Sequence, residues 1–563
     1  MSNKLSIVLA GEAGQGIQSV ESLLVNLFKK SGYHIFATKE YMSRIRGGVN
    51  STTIIISDEP IIGWYEKIDI FVPFSLEAIQ RLKSRINNDT KVIIDKSQIN
   101  YENSENVIDI PLQKISEEIG SPLFSNTIIA GFFAALLDTD IEILKSILID
   151  LFIKKGQDIV DKNIIAAMRG FEIGNNYRNL IKINIKKDEK IQEHLLLNGA
   201  DAISIGALAG GCNACFAYPM TPSTSVFTNM ATYSKKYDIA VEQVEDEIGV
   251  INMALGCWYA GGRALVSTSG GGFALMTEGL SLSGMTETPV VIHLAQRPGP
   301  ATGLPTRTEQ GDLNLALYAG HGTFPRIILA PGNLKQAFEL TALAFNLADK
   351  YQVPVFIMSD QYFIDTYYNI AELPVNDVKV EYYIIKTTKD YKRYKITDDG
   401  ISPRGIPAYG DGLVAVDSDE HDEDGRITED LDGISLQMKN KRLRKFEKIK
   451  ESCIEPVLYG DEDYRILLVG WGSTHNIILE ALKEIKNREI AFLFFPQVFP
   501  LHSKTAKYLN KAQKVIIIEN NATGQFADLI KSQTGFEIKE KILKYNGLQF
   551  SVEELINKIQ EKI

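Results

Sequence analysis

Short apolar runs that end in a glycine turn and lead into a helical stripe recur along this 563-residue chain. No other feature limits the possible fold as strongly. The first instance is the run at 5–10, followed by Gly11, Gly14 and Gly16 and then by Ile17-x-x-Val20-x-x-Leu23-Leu24-x-x-Leu27-Phe28. Strand, glycine turn and helix in that order make a βα unit whose turn aims backbone N–H groups at an anion or simply packs tightly. Runs at 53–57, 68–72 and 91–94 and a helical stretch at 126–137 continue the alternation. Further on, strand candidates at 264–267, 290–294, 326–329 and 355–358 each adjoin a helical pattern, as a parallel sheet requires. The pattern restarts at 466–469 with the turn Gly470-Trp471-Gly472-Ser473, a helix, and strands at 490–495 and 514–518. The expectation is a multidomain α/β protein.

Composition marks the boundaries. A charged strip at 181–193 reads as the linker out of a first domain, 1–185, and a Gly/Ala/Ser/Thr-rich second domain follows at 194–375. Residues 376–455 carry a partly alternating stretch at 378–388 that reads as a strand pair, a dense acidic stretch at 411–429 and a dense basic one at 439–450. That reads as a charged connecting excursion with little core of its own. Residues 456–563 form the last α/β unit.

The formal net charge of −11 argues against a mainly nucleic-acid-binding role and against docking on anionic membranes. No run of about 18 apolar residues is present, and the N-terminus turns to glycine too soon for a secretory signal. Four cysteines make no disulfide framework. A cytoplasmic protein is expected.

Three words stand out in the second domain. In YPMTPSTS, residues 218–225, two prolines surround Thr221 directly after an apolar strand. The prolines fix φ and stop the strand, leaving the Thr221 hydroxyl on a rigid turn at the edge where open α/β sheets place ligands. In EDEIG, residues 245–249, three consecutive carboxylates enter an apolar, small-residue helix. Acidic residues in a first helical turn are ordinarily partners of the helix dipole. A glutamate there is also what thiamine chemistry needs, to hydrogen-bond the aminopyrimidine ring and favour the tautomer that deprotonates the thiazolium carbon. In the third word Arg297 follows a strand and opens a Pro/Gly-rich loop that runs to Asp312. A guanidinium so placed can bind a carboxylate through two hydrogen bonds, or close a loop salt bridge.

Together these words resemble the 2-oxoacid:ferredoxin oxidoreductases, in the fused γ–α subunit form, over nearly the whole chain. STSGGGFALMTEG (267–279), GLPTRTEQGDL (303–313) and DEHDEDG (419–425) are similar to that family too, with Met220 where isoleucine is usual. The resemblance implies a γ-type α/β domain, then a doubly wound pyrimidine-binding domain, then a domain like the C-terminal one of transketolase. It implies that Glu247 activates thiamine diphosphate, that Thr221 contacts substrate or cofactor at the reacting carbon, and that Arg297 binds the 2-oxoacid carboxylate, with Arg307 in reserve. Tyr218 and Pro219 would flank the cofactor. Gly11, Gly14 and Gly16, with the downstream word Arg44-Ile45-Arg46-Gly47-Gly48, belong to the γ domain, which is associated with closing the site and with coenzyme A.

The chain lacks other parts of such an enzyme. An iron–sulfur cluster needs about four thiolates, and here Cys212 and Cys215 form one CxxC while Cys257 and Cys453 stand alone. Gly410-Asp411-Gly412 has Asn440 beyond it but no buried strand before it, so it is not read as a diphosphate–magnesium word. The calcium-like run from Glu420 to Gly425 lacks a glutamate at its twelfth position, the glycine loop at 11–16 is no dinucleotide or Walker word, and His293 reads as a core residue. No metal site is expected on this chain.

A β subunit would therefore supply Mg2+, the diphosphate site and the [4Fe–4S] cluster, and would share thiamine diphosphate with this chain. The complex would be a dimer of α–β heterodimers that takes a 2-oxoacid and coenzyme A and reduces ferredoxin, with 2-oxoglutarate the first candidate. The rival readings are a thiamine-dependent decarboxylase or synthase half without electron transfer, and a non-catalytic assembly subunit.

Overall fold

The computed structural model describes residues 4–43, 47–101, 106–178 and 184–563. Arg44, Ile45 and Arg46 of the γ-domain word, and 181–183 of the expected linker, lie outside the described residues. The chain divides into two compact units. One comprises Met1–Leu197, Asp365–Glu372 and Ser551–Glu553, and the other comprises Asn198–Ile364, Leu373–Phe550 and Glu554–Ile563.

The first unit is built on an eight-stranded sheet. Its order is Val107–Asp109, Lys91–Ile94, Ile70–Pro73, Lys4–Glu12, Val49–Ser57, His34–Glu40, Tyr367–Ile370 and Leu195–Leu197. Strand Lys4–Glu12 runs parallel to Ile70–Pro73 and antiparallel to Val49–Ser57. Its alternate side chains Ile7 and Leu9 enter one apolar core, while Val8 and Ala10 enter another, so the strand is buried on both faces. At the turn, Gly16 has φ 81° and precedes helix Ile17–Lys30. A Cβ there would fall 2.1 Å from Asn126 Nδ2, so only glycine fits. Helices Ser125–Leu136 and Gln157–Asn175 approach closely for the same reason, since a Cβ on Gly170 would meet the Ile128 carbonyl oxygen at 1.9 Å.

This unit differs from the expected domain 1–185. It runs to Leu197 and recovers chain from far downstream. Strand Tyr367–Ile370 pairs with His34–Glu40 on one side and Leu195–Leu197 on the other, and Asn369 Oδ1 accepts from the Ile35 amide at 2.7 Å. A composition boundary cannot register a strand supplied from so distant a position.

The second unit contains two sheets. The seven-stranded one runs Gln497–Phe499, Ile327–Leu329, Pro354–Asp360, Val290–Gln296, Ala264–Ser269, Ala214–Ala217 and Ala240–Gln243, all parallel except the first. The five-stranded one runs Val457–Tyr459, Ile490–Phe495, Ile466–Trp471, Lys514–Glu519 and Glu540–Leu543, again with only the first strand antiparallel.

The excursion at 376–455 requires correction. The stretch at 378–388 forms no strand pair, only the isolated bridges Ile384↔Arg404 and Thr387↔Gly410. Nor is its charge merely solvated. Arg393, Tyr394, Arg404, His421, Lys441 and Lys445 are buried. Lys441 and Lys445, on helix Leu436–Glu451, both bind Glu287, the first at 2.6 Å. Arg393 donates to the carbonyls of Glu287 and Thr286 at 2.7 and 3.3 Å. Arg404 and Arg263 hold Asp349 between them at 2.8 and 3.1 Å. The anionic partners lie in another segment, which is why the basic run reads as a surface in sequence.

Candidate active site

Strand Ala214–Ala217 ends at the proline turn, which Ser223 locks by donating its amide and hydroxyl to the Met220 carbonyl at 2.9 and 2.7 Å. The Thr221 carbonyl, in turn, accepts from Arg297 Nη1 at 2.6 Å. Arg297 directly follows strand Val290–Gln296 and is half-buried. Its Nε is sealed without a partner, and no described residue bonds its Nη2 or the Thr221 hydroxyl. Thr221 and Arg297 are thus adjacent, held through the main chain, with Arg297 Nη2 and the Thr221 hydroxyl uncommitted.

Of the three consecutive carboxylates, Glu245 and Asp246 are exposed and Glu247 is only 4% exposed. Asp246 accounts for itself as the cap of helix Glu247–Tyr259, accepting from the Gly249 amide at 2.7 Å. Glu247 does not. No described residue hydrogen-bonds its carboxylate, and its oxygens are not among the polar atoms sealed from water.

The first turn of helix Gly270–Leu275, formed by Gly270–Gly272, joins these groups. A Cβ on Gly272 would lie 2.3 Å from Thr268 Oγ1 and 2.9 Å from Glu247 Oε1, and one on Gly270 would lie 2.4 Å from both carboxyl oxygens of Asp312. Gly271 faces Met220 Sδ and the Ala301 carbonyl at 3.9 and 3.7 Å from the same construction. Three bare glycines therefore form a floor between Glu247, the proline turn and the Arg297 loop. Ser269 Oγ and Asp312 Oδ2 are further sealed polar atoms without partners beside it.

The loop from Arg297 to Asp312 is pinned from the five-stranded segment. Gln310 donates its side chain to the Trp471 carbonyl at 2.8 Å and accepts from the Asn520 amide at 2.9 Å, while its own amide donates to Asn520 at 2.7 Å. Gln525 holds the Gly311 carbonyl at 2.9 Å. The GLPTRTEQGDL word thus reads as a clamp.

Burial pushes the Asp312 carboxyl up to about 7, with the Glu309 carboxylate adding to the rise and Arg297 opposing it. Burial also lowers Arg297. His293 is held down to about 3 by burial, and both ring nitrogens are engaged, with Ser267 at 2.9 Å and Ser359 at 2.8 Å. It is a neutral core group. Cys212 and Cys215 are buried thiols, the first pushed up to about 12 by burial and so far from a thiolate.

Of the remaining expected residues, Tyr218 and Pro219 share the turn with Thr221, and the others lie elsewhere. Tyr218 is 40% exposed on the proline turn, and Pro219 beside it is partly exposed. Arg307 packs its side chain against the Gly547 turn. Gly11, Gly14 and Gly16 belong to the first unit, where Gly14 and Gly16 line a cleft of about 410 Å3 with Pro73, Phe74, Asp95 and Asn126. Asp312, a sealed carboxyl beside Gly270, is not singled out by the sequence. Its only signal was its place at the end of the same word as Arg307.

Among described residues no helix is long and apolar enough to cross a membrane. Residues 205–440 match the family model "Pyruvate flavodoxin/ferredoxin oxidoreductase, thiamine diP-bdg", and residues 6–173 match "Pyruvate ferredoxin/flavodoxin oxidoreductase". The fold and these matches define an oxidoreductase of oxo-group donors with a thiamine diphosphate-binding domain. The chain is 32% identical to the 2-oxoacid:ferredoxin oxidoreductase subunit alpha of Sulfolobus sp., over 98% of this chain and 96% of that one. It is 31% identical to the 2-oxoglutarate synthase subunit KorA of Archaeoglobus fulgidus, over 58% of this chain and 88% of that subunit. The structure of 2-oxoglutarate:ferredoxin oxidoreductase from Magnetococcus marinus, with 2-oxoglutarate, coenzyme A and succinyl-CoA bound, superposes with a TM-score of 0.92 over 100% of both chains at 28% identity. This chain belongs to the 2-oxoacid:ferredoxin oxidoreductase family, as its fused γ–α subunit.

Proposed function

We propose that the chain is the γ–α half of an enzyme that converts 2-oxoglutarate, coenzyme A and two oxidised ferredoxins into succinyl-CoA, carbon dioxide, two reduced ferredoxins and a proton. A β subunit contributes Mg2+, the diphosphate site and a [4Fe–4S] cluster, and two α–β heterodimers associate. The observation that carries the reading is the buried Glu247 carboxylate, left without a donor at the edge of a bare glycine turn. The choice of substrate is supported by the 2-oxoglutarate named for the relatives from Archaeoglobus fulgidus and Magnetococcus marinus. With four free thiols, the protein works in a reducing cytoplasm.

The residues present fit thiamine diphosphate. The Glu247 carboxylate, which no described residue hydrogen-bonds, matches a ring-nitrogen donor. When bound, thiamine diphosphate supplies the nucleophilic carbon and accepts the electron pair left as carbon dioxide departs. Glu247 holds a proton at its buried carboxylate in exchange with that ring nitrogen. The Thr221 hydroxyl is free to donate to the substrate oxo group, on a turn stiffened by Pro219 and Pro222. Arg297 keeps Nη1 on the Thr221 carbonyl and presents Nη2 to the substrate carboxylate. Arg307 is the reserve candidate for the role given to Arg297. In the first unit, Gly11 near the end of its strand and the turn at Gly14 and Gly16 lead into a helix N-terminus suited to coenzyme A phosphates.

The test is to co-purify the chain with its partner and assay a panel of 2-oxoacids with a low-potential dye, for wild type and Glu247→Gln. The variant is expected to assemble normally and to lose about two to four orders of magnitude in turnover. Near-normal turnover by the variant would refute the role given to Glu247, and a preference for pyruvate would refute the substrate.

A further inference from the structure

The ion cluster at Glu287 adjoins a cavity that the proposed reaction does not use. Glu287 ends helix Thr277–Thr286, and Lys441 and Lys445 bind it from helix Leu436–Glu451, so buried charge fastens the two helices together. Between these helices lies a cavity of about 480 Å3, lined by residues of the second unit alone. Glu278, Ser281, Leu282 and Met285 line it from the first helix, at the i, i+3, i+4, i+7 spacing of a single helical face. Lys439, Arg442 and Leu443 line it from the second.

The floor is preformed. A Cβ on Gly284 would fall 2.4 Å from Phe324 Cγ, and one on Gly320, at φ 85°, would fall 3.0 Å from Phe324 Cζ. Both glycines thus make room for one aromatic ring. The Arg326 guanidinium lies over that ring, 4.6 Å from its centroid, and the His321 amide donates to Ser281 Oγ at 2.9 Å, which ties the loop at 321–324 to the helix. Leu282, Met285, Phe324 and Leu443 make the middle of the cavity apolar.

The charges of the lining balance, Glu278 and Glu420 against Lys439 and Arg442. Arg442 is buried and donates Nη2 to both carboxylate oxygens of Glu420, at 3.0 and 2.7 Å, so those two neutralise each other. Glu278 and Lys439 are exposed on the two facing helices, and no described residue hydrogen-bonds or ion-pairs with either. The cavity therefore offers one unpaired anion, an apolar middle and one unpaired cation.

We infer that this cavity binds a zwitterion with an apolar body, of the class of the apolar α-amino acids, with its ammonium on Glu278, its carboxylate on Lys439 and its side chain against Phe324, Leu282 and Met285. A simple anion leaves Glu278 unpaired beside it, and a simple cation leaves Lys439 so, whereas a zwitterion satisfies both ends of a lining with no net charge. The volume lies within the range of about 300–1,000 Å3 that small-molecule sites occupy. Exposed ion pairs are weak, so a Kd on the order of 0.1–10 mM is expected. Thr221, Glu247 and Arg297 do not line this cavity, and the site stands independently of the reaction proposed above.

The test is calorimetric titration of the complete complex with L-phenylalanine and three truncated probes. 3-Phenylpropionate lacks the ammonium, 2-phenylethylamine lacks the carboxylate and L-alanine lacks the body. L-Phenylalanine is expected to bind at least about fivefold more tightly than each of the three. Glu278→Gln is expected to weaken L-phenylalanine to the level of 3-phenylpropionate, and Lys439→Gln to the level of 2-phenylethylamine. Both substitutions replace exposed side chains, so the thermal midpoint of the complex is expected to stay unchanged. Absence of binding by L-phenylalanine up to about 20 mM overturns the inference. So does equal binding of 3-phenylpropionate or 2-phenylethylamine by the wild type, or an undiminished affinity for L-phenylalanine in either variant.

Discussion

Glu247 and Gly272 show how little separates a helix terminus from a site. Glu245, Asp246 and Glu247 are chemically alike, yet Asp246 caps the helix, Glu245 is solvated and Glu247 is buried beside a residue with no side chain. Sequence singled out the triplet, and the family resemblance chose the third member. The physical reason for that choice is tertiary, because Thr268 and Gly272 close over one carboxylate only. Gly272→Ala tests the arrangement. Its Cβ would drive into Thr268 Oγ1 and Glu247 Oε1, and overpacking of this kind costs about 1–3 kcal/mol of stability. We expect an intact complex with a modestly lower thermal midpoint and at least about tenfold lower turnover, since a small misplacement at a reacting centre is amplified in rate. Full activity in this variant would show that Glu247 does not need its present position.

At the scale of elements, helix Leu436–Glu451 carries the sharpest disagreement between sequence and structure. Its basic residues follow the spacing of a solvated face, but Lys441 and Lys445 lie one turn apart on the buried side and converge on Glu287. Burial alone would push the Glu287 carboxyl up. Lys441, Lys445 and Arg393 outweigh it and hold the group well below the usual carboxylate range. Stability from this carboxylate is thus fully present above its ordinary titration range and is lost only as pH falls far into the acid region. Glu287→Gln leaves two buried ammonium groups without their counter-charge and is expected to cost about 3–5 kcal/mol, read by thermal or denaturant unfolding at neutral pH. Adding Lys441→Met and Lys445→Met is expected to restore most of that loss, because an apolar replacement of a buried ion cluster is often neutral. A single-variant loss below about 1 kcal/mol would mean that the cluster is effectively hydrated.

For the whole molecule, the main point is how far the chain travels to complete each sheet. The first unit takes strand Tyr367–Ile370 from beyond the parallel sheet, and that sheet takes Gln497–Phe499 from the C-terminal segment. A fragment ending at residue 197 would leave the edge of His34–Glu40 bare and the Ile35 amide without Asn369. Open edges of this kind pair between molecules. The fragment is expected to aggregate or unfold at a markedly lower temperature by size exclusion and thermal scanning, and appending residues 365–372 through a flexible linker is expected to rescue it. A monomeric, equally stable fragment would show the added strand to be dispensable. The charge of −11 acts at this scale as well, as a property of solubility and partner choice with no bearing on topology.

The α/β architecture was legible in the sequence because its cause is local. A strand buried on both faces must be continuously apolar, and a glycine turn into a helix leaves a fixed spacing, so the runs at 91–94 and 490–495 match their strands end to end. Thr221, the Glu247 triplet and Arg297 were legible as words for a related reason, since each lies at a strand end or a helix start. The partners were not legible. Asp312 beside Gly270, Gln310 clamped on Asn520, and Glu287 between two lysines join residues far apart in the chain, and their energies come from burial. No local pattern records which carboxyl group loses its water until the chain has closed around it.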